Sequence, residues 1–106
     1  TQSKSGHRIR TAHCLYAEAA DFIFYDHEFR YDTTKHVDTA QLSPRAKQKL
    51  EQVALRLEHV PFPVVIEELP KTHDDAKNHE KALLEQARRK TIVEQYRALR
   101  DWHAAN

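Results

Sequence analysis

A chain of 106 residues, 40 % hydrophobic and 31 % charged, has the make-up of one globular domain, too short for a second core and with apolar runs far too brief to cross a bilayer. Seventeen basic residues against sixteen acidic ones leave a net charge of +1, which excludes the strong positive field of a general nucleic-acid or anionic-lipid binder. The single glycine, Gly6, removes phosphate-cradling loops and dinucleotide fingerprints, and the single cysteine, Cys14, excludes an internal disulfide and a cysteine-rich zinc site.

Residues 1–20 read as a polar N-terminal approach segment, its first thirteen residues polar and basic, with Cys14 a small apolar residue near the first strand. The domain proper is expected over 21–106. "DFIFYDHEFRY" (21–31) alternates Phe22 and Phe24 against Ile23 and Tyr25, which predicts a strand buried on both faces, and "DTTKHVDTAQ" (32–41) reads as a connecting loop. Ser43 before Pro44 is a helix start: the hydroxyl can accept from free first-turn amides and the proline is preset for the first helical position. Ala46, Leu50, Val53, Ala54 and Leu57 follow at helical spacing. "FPVVIEEL" (62–69), short, β-branched and bounded by prolines, predicts a second strand. "PKTHDDAKNH" (70–79) is a polar loop, and a second helix runs from about Asn78 to Trp102.

The order strand, helix, strand, helix predicts an α/β fold, a βαβα two-layer sandwich with 21–31 and 62–69 as parallel neighbours and both helices on one face. Its expected core includes Leu50, Val53, Leu57, Val65, Leu84, Ile92 and Leu99. Two strands make a poor sheet, so one edge is expected to be open or filled by another chain, making a homo-oligomer one outcome. On the second helix Arg88 falls between Leu84 and Ile92 on the apolar stripe, whereas Arg89 is turned toward water.

"LSPRAKQKLEQVALRL", "FPVVIEEL" and "NHEKALLEQARRKTIVEQY" together resemble the OmpA-like domain of bacterial envelope proteins, over about residues 21–99. The matching positions are Leu42, Ser43 and Pro44, then Val64, Val65 and Ile66, then Asn78, Leu84 and Arg88. The resemblance implies a βαβαβ sandwich, with the last strand missing from this chain or supplied elsewhere. It also implies a noncovalent hold on peptidoglycan at the periplasmic side of the cell envelope, gripping the diaminopimelate residue of a stem peptide. Arg88 stands at the position of the family's carboxylate-binding arginine, and Asp74, Asp75 and Asn78 are its companions in the implied site. The resemblance implies no catalysis, cofactor, metal or membrane insertion.

This chain departs from the family where Pro70 and Lys71 stand in place of an aspartate directly after the strand, and where the loop glycine is missing. An alternative therefore stays open: a degenerate scaffold acting as a protein-interaction or structural domain without wall binding. Arg88 would then pack its stem over Leu84 and Ile92 and pair with a carboxylate such as Glu85, Asp75 or Glu67. Asp74, Asp75 and Asn78 would serve as loop and cap residues. His73, Asp74, Asp75 and His79 offer several metal-ligand types, but a metal site would need further ligands from separate helices.

Overall fold

The computed structural model describes residues 6–14, 16–70 and 78–105. Among the described residues it is a mixed α+β fold with five strands, β1 (Gly6–Thr11), β2 (Ile23–Tyr25), β3 (Phe29–Asp32), β4 (Val37–Leu42) and β5 (Val64–Glu68), and two helices, α1 (Pro44–Leu57) and α2 (His79–Ala105). Single 3-10 turns, Ala20–Phe22 and Asp26–Glu28, bracket β2. β1 is the middle of a three-stranded antiparallel sheet in the order β2-β1-β5, and β3 and β4 form a separate antiparallel hairpin.

Both helices begin as their caps dictate. Ser43 Oγ accepts from Ala46 N at 3.1 Å with Pro44 in the first turn, and Asn78 Oδ1 accepts from Lys81 N at 3.0 Å. α1 buries the expected Ala46, Leu50, Val53, Ala54 and Leu57. These join Ile9, Phe22, Phe24, Phe29, Leu42, Ile66, Ile92 and Tyr96 in one core. Arg100, a helical turn beyond Tyr96, donates to Leu57 O at 3.0 Å and Glu58 O at 3.4 Å, so the end of α1 is closed by a side chain of α2.

Several expectations are corrected. The stretch expected to be an approach segment supplies the central strand: β1 pairs on one side with β2 and on the other with β5. Its sequence "GHRIRT" holds Ile9 as its one aliphatic core residue, and the inward positions His7 and Thr11 are polar, so hydropathy hides a strand whose inner face is completely buried. Strands β2 and β5 do share a sheet and run in the same direction, as expected, but they are not neighbours, because β1 lies between them and runs antiparallel to each. The crossover rule fixes the handedness of a connection between parallel strands of one sheet and not their adjacency, and here β1 takes the place between them.

The run 21–31 is also not one strand. It breaks at "DHE" into a 3-10 turn, after which the chain starts the β3–β4 hairpin, and the expected loop 32–41 holds most of β4. The hairpin turn is built without glycine: Asp32 Oδ1 accepts from Thr34 N at 2.9 Å and Lys35 N at 3.0 Å, and His36 takes the left-handed conformation at φ 55°. Cys14 and Tyr16 likewise turn with φ of 62° and 66°. Of the expected core, Val65, Leu84 and Leu99 are only half-buried; Cys14, expected as a small apolar residue near the first strand, is exposed. The buried stripe of α2 is instead Glu85, Arg88, Ile92 and Tyr96.

Candidate functional site

Arg88 projects from the inner side of α2 into the gap between the three-stranded sheet and the hairpin, with 2 % of its surface exposed. Its Nε donates to Thr39 O of β4 at 3.0 Å, and one terminal nitrogen donates to Asp26 Oδ1 at 2.8 Å and to Glu85 Oε1 at 3.2 Å. The guanidinium lies over the Phe29 ring, 4.6 Å from its centroid. One side chain thus ties α2 to the turn after β2 and to both strands of the hairpin. Lys81, one turn before Glu85, brings its ammonium to 3.8 Å from Asp26 Oδ2.

Behind the arginine sits His7, fully buried on the inner face of β1. Its Nε2 is 3.1 Å from the backbone oxygen of Glu85 and 3.9 Å from Glu68 Oε1, and its Nδ1 is 3.8 Å from Glu85 Oε2. Burial pushes the Glu85 carboxyl up from its ordinary range, against the pull of Arg88. Burial likewise lowers the His7 pKa, against Glu68 and the Glu85 carbonyl, which favour the charged ring. The result is a connected network in which Arg88, Glu85 and His7 are buried and the Asp26 side chain reaches the surface.

The residues singled out from the sequence fare differently. Arg88 is on the buried side of its helix, as its position on the wheel requires, and of its anticipated carboxylate partners Glu85 is one. Glu67 is not: it faces the opposite side of the sheet, where Arg8 Nε and Arg10 Nε each donate to its Oε1 at 2.7 Å. Arg10, then Arg8, hold the Glu67 carboxyl below its ordinary range. Asn78 is exposed and caps α2, and Asp74 and Asp75 lie outside the described residues, as does His73. His79 is an exposed first residue of α2.

Asp26 and His7 were not legible as members of this network. The one signal for Asp26 is the charged "DHE" that interrupts an aromatic run, where a chain break supplies a turn carboxylate. His7 had none, since its strand was hidden. A polar groove between α1 and the 3-10 turns is lined by three further cations, Arg45, Lys49 and Arg56, of which Lys49 pairs with Glu28 at 2.8 Å and Arg56 with Asp21 at 3.2 Å.

No family model matches this chain, and neither a curated protein nor a solved structure is detectably similar to it. Among the described residues no helix is long and apolar enough to cross a membrane.

Proposed function

We propose that the domain is a non-enzymatic structural or protein-interaction module of a bacterial envelope protein, an OmpA-like scaffold whose arginine works inside the fold. The observation that supports this reading is the commitment of Arg88: three hydrogen bonds to Thr39, Asp26 and Glu85 at 2 % exposure. A carboxylate ligand gains little from a guanidinium that must first release acceptors of equal quality.

One feature favours the second reading, a hold on the peptidoglycan stem peptide through Arg88, with Asp74, Asp75 and Asn78 as the further ligand-binding residues that the resemblance implies. The Asp26 side chain is 48 % exposed, so it is the partner that an incoming carboxylate could displace. Co-sedimentation with purified peptidoglycan, and titration with a diaminopimelate-containing stem peptide, separate the two. The internal role predicts no binding at millimolar peptide by the wild type or by Asp26→Asn. Saturable binding that tightens in Asp26→Asn and disappears in a folded Arg88→Lys variant would overturn it in favour of wall binding.

A further inference from the structure

The seam between β1 and α2 is held by an imidazole with one nitrogen used and one orphaned. The acceptor opposite Nε2 is a backbone oxygen, that of Glu85 at 3.1 Å, so the ring proton belongs on Nε2 and Nδ1 presents a lone pair. That Nδ1 is buried and has no hydrogen-bond partner among the described residues. The groups facing the ring are Glu85 and Arg88 from α2, Glu68 from β5 and Asp26 from the turn after β2. Glu85, the nearest carboxylate to Nδ1 at 3.8 Å, already accepts from Arg88 at 3.2 Å.

A second proton at Nδ1 would put a cation into a site with no access to water, beside a buried guanidinium, and with its nearest carboxylate beyond hydrogen-bond distance. We propose that His7 is an acid-sensitive latch: neutral, it fastens the central strand to α2, and protonated, it loosens that seam before the rest of the core. The device is independent of whether Arg88 ever meets a ligand.

The sign follows from linkage. With the ring harder to protonate in the folded chain than in the unfolded one, the unfolded state binds more protons, so the latch is at full strength above the unfolded value near 6.5 and fades as pH falls below it. His7→Gln is the control, because its amide nitrogen replaces Nε2 as donor to the Glu85 oxygen and does not titrate. Urea unfolding of the full chain at pH 7.5, 6.5 and 5.5 is expected to show the wild-type folding constant dropping relative to that of His7→Gln, by up to about tenfold per pH unit below 6.5. Parallel pH profiles would overturn the proposal. Should His7→Gln not fold, NMR on the wild type decides: the ring is expected to titrate below 6.5, with amides of residues 7–11 exchanging faster in step. A midpoint at or above 6.5, or unchanged exchange in β1, would overturn it.

Discussion

A guanidinium taken out of water is stable only while its donors meet acceptors, and at Arg88 those acceptors come from α2, from β4 and from the turn after β2. Removing it strands the Glu85 carboxylate, which is 1 % exposed. Arg88→Ala is therefore expected to destabilise the fold by about 3–5 kcal/mol, the usual cost of breaking a buried ion pair, as read from the urea midpoint. This reverses the expectation from helix propensity alone, under which alanine is harmless. Gly6 makes a second residue-scale case. A Cβ there would lie 2.7 Å from Phe24 O and 3.2 Å from Tyr25 Cα, both backbone atoms of the paired strand β2. Gly6→Ala must push β1 and β2 apart, and a loss of about 1–3 kcal/mol is expected by thermal unfolding.

Among elements, the two edges of the small sheet are handled alike. Leu69 N donates to Gly6 O and Ala12 N to Pro63 O, so the odd-numbered residues of β5 bond to β1 and the carbonyls of Val64, Ile66 and Glu68 point outward. Ile66 O is then taken by Arg89 Nε of α2 at 2.8 Å. On the far edge, His7 pairs with Phe24, which turns Ile23 O outward, and Lys49 Nζ of α1 donates to it. Each helix thus sends one cation to an edge carbonyl, a way of discouraging strand addition that also anchors the helix. This meets the expectation of an open edge only halfway. Arg89→Ala should cost about 1 kcal/mol and, by exposing the β5 edge, raise the apparent mass with concentration in light scattering, whereas the wild type should stay constant. A variant that remains as monomeric as the wild type would show that the edge is guarded by more than Arg89.

For the whole molecule, the decisive placement is that of β1. It joins β2 to β5, docks on α2 through His7, and presents Arg8 and Arg10 to Glu67 on the outer face. Deleting residues 1–11 is expected to abolish cooperative folding, seen as loss of a sharp thermal transition by circular dichroism. A dispensable tail would leave the transition in place.

What the sequence determined by itself is local. The Ser43-Pro44 start of α1, the asparagine cap of α2, the β-branched strand β5 and the inward side of Arg88 all follow from groups within one or two turns of each other, and the structure bears them out. Only tertiary structure decided the rest. Whether "GHRIRT" is tail or central strand depends on Phe24 and Ile66 meeting it from distant parts of the chain, since His7 and Thr11 are acceptable inside only once neighbours exclude water from them. The partner of Arg88 was open for the same reason: Asp26 is remote in sequence and reaches the guanidinium because the turn after β2 and α2 converge in space. Short-range preferences are written into each segment, whereas the company a buried charge keeps is set by how the segments pack.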